Sequence, residues 1–284
     1  MTNTIPYLNL DLTIESGQVF LWNKINDYWY GVDRNNIIKV SKNRKDLEYS
    51  SYPESVDCKR IFGLEDDLNH IYREVSKDTV MEDALAKMRG LRIMRQDPYQ
   101  CLISFICATN TSISMIKRML TSMSMKFGKK IEYNGVSFHA FPEPKELAEA
   151  SINELCRCSV GYRAPFIRKA AKTMLTKEVD FDYLKHVNYD RAKKDLMDVL
   201  GVGEKVADCI LLFSLQKLES FPIDVWIARA IRKYYSQMFE KKLESEKITP
   251  KVYRMISSKM RGYFGAYAGY AQQYLYCYAR NNGS

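Results

Sequence analysis

Histidine is scarce in this chain, and its cysteines are unpaired in sequence. Only His70, His139 and His186 occur among 284 residues, far apart from one another. Seven cysteines (Cys58, Cys101, Cys107, Cys156, Cys158, Cys209 and Cys277) form no Cys-x-x-Cys pair, and Cys156-Arg-Cys158 is a lone Cys-x-Cys. No zinc or iron–sulfur ligand spacing is present, so neither a metal nor a cofactor is expected. An odd number of cysteines with apolar neighbours predicts buried free thiols in a reducing compartment. The N-terminus lacks a charged segment followed by an apolar core. Nor does any apolar run approach the ~20 residues of a membrane helix. A secreted or membrane protein is not expected. The expected compartment is the cytoplasm, beside the nucleoid in a prokaryote.

Acidic residues are also in short supply. Against 43 basic residues there are 34 acidic ones, a net charge of +9. The surplus favours a polyanionic partner, most often nucleic acid, although solubility alone is served by such a charge. From Pro250 to Ser284 there are five basic residues, no acidic residue and seven tyrosines. Cations interleaved with rings suit phosphates and bases together.

The chain is long enough for one large domain or two modest ones. Up to about residue 55 it reads as strands: Gln18–Trp22, Tyr28–Val32 and Ile37–Val40, separated by turn-like Asn26-Asp27 and Asp33–Asn36. An antiparallel meander with one covered face is expected. From about Asp57 the apolar period becomes helical, with Leu64, Leu68, Ile71, Tyr72 and Val75 at steps of three and four. Asp97-Pro98 opens a buried helix, aspartate as cap and proline at its first position. Further helices are expected near 112–127, 144–156, 163–176, 190–200, 204–217, 224–238 and 250–281. The fold class is α+β: a small N-terminal antiparallel sheet domain (1–95) packed on a mainly helical body of two subdomains (96–284). No long linker or internal repeat interrupts it.

Function concentrates in residues 200–224. Leu200-Gly-Val-Gly203 turns between two apolar helices, a helix–hairpin–helix at about 190–217. Gly201 and Gly203 permit a tight turn with free backbone N–H groups facing an anion at a helix start. Such a turn holds backbone phosphate rather than reading sequence. It also suits an ordinary helix–helix connection. Lys205 follows at once among Val202, Val206, Ile210 and Leu211. Desolvation and the positive end of a helix both favour its free, nucleophilic amine. Cys209, one turn on, is expected to border the same place, although its position alone suits plain core packing better. Asp224, in Phe221-Pro-Ile-Asp-Val-Trp226, reads as a helix cap. A capping carboxylate that faces a cleft can also stabilise a developing cation or move a proton. Near the end, Tyr263, Tyr267, Tyr270, Tyr274 and Tyr278 form a stripe that reads as core. Gln272 and Tyr276 share a different face, an amide with a ring that suits a flat heterocycle.

Together these residues resemble the helix–hairpin–helix DNA glycosylase superfamily, and among its members the bifunctional 8-oxoguanine DNA glycosylases of the eukaryotic type and their prokaryotic relatives. Ser16–Trp22, Met94–Pro98, Ser104–Asn110, Phe138–Pro142, Gly161–Ala164 and Gly265–Gln272 fit that family in order, over nearly the whole chain. The resemblance implies base flipping out of duplex DNA, attack of Lys205 on the sugar C1′, stabilisation of the sugar cation by Asp224, a Schiff base, and β-elimination of the strand. It implies that the Gly17 carbonyl reads the N7 hydrogen of 8-oxoguanine. Cys209 and Tyr276 would sandwich the base, and Gln272 would read its Watson–Crick edge. Asn110 would fill the vacated stack, with Tyr162 and Arg163 around the orphaned base. The implied partner is duplex DNA containing 8-oxoguanine, and a monomer is expected.

Two positions depart from that family. Met115 stands where the eukaryotic enzymes carry an arginine that reads the opposite cytosine; methionine donates no hydrogen bond, so weak discrimination of the opposite base is expected. Trp226 takes a place often filled by histidine, which puts a phosphate contact there in question. Two other readings compete: an alkylated-base glycosylase of the same fold, against which Lys205 counts, and a non-catalytic DNA-binding module that uses the hairpin as a clamp.

Overall fold

The computed structural model describes residues 7–43, 46–239 and 248–281. The outermost residues of both expected domains, 1–6 and 282–284, lie outside the described residues.

Four strands form one antiparallel sheet: β1 (Trp22–Ile25), β2 (Tyr28–Asp33), β3 (Asn36–Asn43) and β4 (Asp46–Tyr52), paired in sequence order. Asn26 and Arg34 take positive φ in the two tight turns, the backbone that Asn-Asp and Asp-Arg-Asn-Asn favour. Ile38 and Val40 pack with Trp22, Trp29, Cys58, Ile61 and Phe62, beneath the helix Leu10–Glu15. The expectation of one covered face fails at Ile37, which is fully buried on the opposite face with Tyr30, Ile131 and Ala140. That cover comes from a second hairpin, β5 (Lys130–Tyr133) and β6 (Val136–His139), with positive φ at Asn134 and Gly135. The sequence reading did not find this hairpin, whose strands are four residues each.

Gln18–Trp22 was expected as a strand, and only Trp22 joins β1. The Gln18 side chain explains the difference. Its amide nitrogen donates to the carbonyls of Thr13 (3.0 Å) and Arg92 (2.8 Å) and to Ser16 Oγ (2.9 Å), while its oxygen accepts from the Met94 amide at 2.7 Å. These bonds hold residues 16–21 in a bend, with Gly17 at φ +79°.

The rest is helical. Aspartates 57, 67, 78 and 97 cap successive helix starts through their side chains. The helix Pro98–Cys107 runs through the centre, buried along its length from Gln100 to Cys107. The expected 144–156 helix is two, Pro144–Glu149 and Ile152–Cys156, because Ser151 and Glu154 close a capping box between them. The expected 250–281 helix is also interrupted. Gly265, at φ +71°, ends Pro250–Phe264, and Ala268–Asn281 begins after one 3-10 turn. The hairpin helices run Tyr189–Met197 and Glu204–Phe213, and Val225–Tyr234 follows.

The tyrosine stripe is core in part. Tyr270 and Tyr274 are fully buried and donate to Asp66 (2.7 Å) and to the Leu91 carbonyl (2.8 Å). Tyr278 reaches Asp83 at 2.5 Å. These bonds pin the last helix onto Leu68–Val75 and Thr79–Lys87, and so carry Gln272 and Tyr276 to the Ser16–Gly17 bend. Six cysteines are buried as expected; Cys156, at the end of its short helix, is exposed. No helix among the described residues is long and apolar enough to cross a membrane.

Candidate active site

A cleft of about 1350 Å³ opens between the N-terminal bend, the central helix and the hairpin body. Lys205, Cys209, Asp224, Gly17, Gln272, Tyr276, Asn110 and Trp226 all line it. Residues spread over more than 250 positions in the chain therefore meet at one place.

Lys205 sits in the first turn of Glu204–Phe213, half-buried, its ammonium 5.5 Å from the centre of the Phe105 ring. Asp224 does cap its helix, accepting the Ile227 amide at 2.8 Å. It also faces the cleft. Burial raises its pKa, while the bond from Ile227 and the charge of Lys205 pull the other way. A carboxylate and an amine that feel each other's charge in one cleft can combine a nucleophile with a group that stabilises a developing cation.

Gly17, Cys209 and Tyr276 line one part of the cleft. A Cβ on Gly17 would come 2.9 Å from the Tyr276 hydroxyl. Burial, reinforced by the charge of Asp224, pushes that phenol up to about 12, and burial pushes the Cys209 thiol up to about 12. Both walls are thus neutral. Gln272 is buried, and its Oε1 has no hydrogen-bond partner. An orphaned acceptor of this kind in a cleft calls for a ligand donor. The neighbouring Gln273 donates to the Ser16 carbonyl at 2.8 Å, which fixes the bend from the other side.

At the hairpin, Gly201 has φ +93° and packs so closely on Phe166 that a Cβ would lie 2.7 Å from the Phe166 Cβ. Gly203 caps Glu204–Phe213 with no side-chain cap, and a Cβ there would meet nothing within 4 Å. That helix start thus has no side-chain cap and open space beside Gly203, which suits a phosphate.

Residues 2–102 match the 8-oxoguanine DNA glycosylase N-terminal domain, and residues 103–254 match the HhH-GPD superfamily of base excision DNA repair proteins. The chain belongs to the HhH-GPD superfamily. It is 33% identical to a probable N-glycosylase/DNA lyase of Methanothermobacter thermautotrophicus, over 78% of this chain and 74% of that protein. It is 29% identical to the N-glycosylase/DNA lyase OGG1 of Arabidopsis thaliana, over 95% of this chain and 76% of that one. Among solved structures, the 8-oxoguanine glycosylase/lyase of Clostridium acetobutylicum, in complex with duplex DNA containing cytosine opposite 8-oxoguanine, superposes with a TM-score of 0.86. That match has 31% identity and covers 98% of this chain and 93% of the other.

Within this superfamily fold, the three residues expected around the vacated stack and the orphaned base divide. Asn110 is exposed at φ +50°, just past the central helix. Tyr162 is 58% exposed, its hydroxyl 3.5 Å from the Thr109 carbonyl. Arg163 is turned inward instead. It is buried, its guanidinium lies 4.5 Å from the Tyr162 ring centre, and it donates to the carbonyls of Thr109 and Val160. Its Nε has no partner. Neither Tyr162, Arg163 nor Met115 lines the cleft. Met115 is half-buried in the first turn of Ile113–Phe127.

Some of the lining escaped the sequence reading. Phe20, Phe105 and Phe213 stand ring against ring along one wall, at 5.6 and 5.5 Å. Arg229, Arg232 and Lys233 line the far side with Arg280. Their spacing along Val225–Tyr234, three and four residues, places them on one helix face; that signal was present and unread. The guanidinium of Arg229 lies 5.2 Å from the Trp226 ring centre, so the cleft keeps a cation beside Trp226.

Proposed function

We infer that this chain is a bifunctional DNA repair enzyme that excises 8-oxoguanine from duplex DNA and then nicks the strand as an AP lyase. The observation that carries this reading is the meeting of Lys205 and Asp224 in one cleft with Gly17, Cys209, Tyr276 and the unpaired Gln272 oxygen. The family and its 8-oxoguanine-type N-terminal domain supply the lesion.

The proposed course begins with flipping the lesion nucleotide, at a cost of a few kcal/mol. The base slides between Cys209 and Tyr276, and the unpaired Gln272 oxygen takes a donor from its Watson–Crick edge. The Gly17 carbonyl accepts the N7 hydrogen, which guanine lacks; opposite guanine that carbonyl would lose its partner. The Lys205 nitrogen attacks C1′ as the glycosidic bond breaks, and the base leaves with that electron pair. Asp224 stabilises the positive charge that develops on the sugar. Loss of the amine proton and opening of the sugar ring give an imine. Water takes the C2′ proton while the protonated imine receives the electrons of that bond, and the resulting enamine expels the 3′ phosphate as the C2′=C3′ double bond forms. Gly201 and Gly203 hold backbone phosphate, and Asn110, Tyr162 and Arg163 stabilise the vacated site. Met115 leaves the opposite base weakly read.

The same reading divides the chain into an N-terminal part (1–95) and a helical body (96–284), acting as a monomer in the cytoplasm. The test is Lys205→Gln. It should bind lesion duplex as the wild type does and lose cleavage; retained strand cleavage would refute the reading. A monofunctional alkylated-base enzyme would leave AP sites uncut, and a pure clamp would leave the base in place.

A further inference from the structure

Asp208 lies one helical turn beyond Lys205 and has no exposed surface. Four side chains converge on it. Tyr189 donates to Oδ1 at 2.5 Å and Lys193 to Oδ2 at 2.9 Å. Tyr253 donates to Oδ2 at 2.7 Å. Ser220 lies 3.1 Å from Oδ1 and 2.9 Å from the Asp208 carbonyl.

Burying a carboxylate is costly unless its lone pairs are met, and an apolar side chain of similar volume would fill the space as well. The partners suggest what the carboxylate does. Tyr189 and Lys193 belong to the first hairpin helix. Lys193 also bridges Glu204, the residue before Lys205, at 2.9 Å. Ser220 begins the short segment that ends at Asp224. The other end of that segment is held through Tyr253, whose hydroxyl accepts the Ile223 amide at 3.2 Å while donating to Asp208. The loop leading to Asp224 is therefore tied at residues 220 and 223 to the helix that carries Lys205.

We propose that Asp208 is a positioning residue for base excision: through Ser220 and Tyr253 it fixes the Asp224 loop against the Lys205 helix. The assignment rests on Lys205 and Asp224 being the reacting pair. Displacing a reacting group by about 1 Å can slow a reaction about a hundredfold, so such a tie matters for rate.

Tyr253→Phe tests it, because the ring stays and only the linking hydroxyl goes. Single-turnover excision of 8-oxoguanine should slow about tenfold or more, while affinity for the same duplex stays within about twofold. In an Asp224→Asn background, Tyr253→Phe should add no further slowing, since the group it aims is already disabled. An unchanged rate in Tyr253→Phe, or a slowing that multiplies in full on top of Asp224→Asn, overturns the assignment alone. A wild-type rate in Asp224→Asn itself overturns the reacting pair, and the assignment with it. Asp208→Asn should repeat the Tyr253→Phe result; if it does not fold, Ser220→Ala takes its place.

Discussion

The Tyr276 hydroxyl stands 2.9 Å from the point where a Cβ on Gly17 would lie. The place of the Tyr276 ring in the cleft thus depends on the absence of a side chain 259 positions earlier in the chain. Gly17 also holds φ +79°, where an L side chain is strained by about 1–3 kcal/mol. Gly17→Ala should therefore press on the Tyr276 ring and shift the Gly17 carbonyl, narrowing the proposed base slot. Excision of 8-oxoguanine should fall about tenfold or more. Cleavage of a preformed abasic site, which has no base to seat, should stay near wild type. Equal loss on both substrates would show a folding defect in place of a lost slot.

The hairpin glycines should behave differently from each other. Gly201→Ala meets Phe166 at 2.7 Å and a φ of +93°, so it should lower Tm, by roughly 1–3 kcal/mol of stability. Gly203→Ala meets nothing within 4 Å, so Tm should hold. Its methyl would nonetheless stand at the helix start where a phosphate is expected. Affinity for damaged and undamaged duplex should drop together, with a shallower dependence on salt. Titrations at several salt concentrations, beside thermal melts, separate the two.

Met115 should leave the opposite base weakly read. Excision rates of 8-oxoguanine opposite each of the four bases should lie within about tenfold of one another, because no bidentate side chain at this position separates them. A several-hundred-fold preference for cytosine would refute this. Met115→Arg should raise the cytosine preference, a good bidentate contact being worth about 1–3 kcal/mol.

Asp224 gives a pH dependence with a definite sign. Burial raises its pKa above the ordinary carboxylate value of 3.8. The folded state then holds the proton more tightly than the unfolded chain. The stability that follows is complete below 3.8 and is lost as pH rises through the raised folded value. Asparagine caps a helix as well as aspartate. Melts across pH should therefore show Asp224→Asn gaining on the wild type from pH 4 to pH 7. On the proposed course excision uses the ionised carboxylate, so the part of its acid limb that Asp224 sets should lie above 3.8 and be missing in Asp224→Asn. A limb at or below that value would contradict the burial.

Much of this site was legible because its residues are local signals of backbone geometry. Gly-Val-Gly before Lys205 announces a turn at a helix start, and Pro-Ile-Asp before Val225 announces a cap. The family resemblance joined these to Gly17, Gln272 and Tyr276, which no local rule links. What stayed hidden depends on contacts distant in sequence. β5 and β6 are too short to stand out, and they pack against Tyr30 and Ile37, about a hundred positions earlier. The Gln18 side chain, bonded to residues 13, 16, 92 and 94, overrode a run of strand formers. Asp208 reads as a polar residue on an apolar helix, and nothing in its neighbours in sequence predicts the four partners it finds. Arg163 likewise turns inward to Thr109, a contact no spacing reveals.

The central claim is that Lys205 forms a covalent bond to the sugar of the lesion nucleotide. Borohydride trapping tests it most directly. The enzyme is incubated with duplex containing 8-oxoguanine, reduced, and resolved by denaturing electrophoresis. A covalent protein–DNA adduct that disappears in Lys205→Ala is the predicted result. No adduct with the wild type, or an adduct that survives Lys205→Ala, would contradict the account.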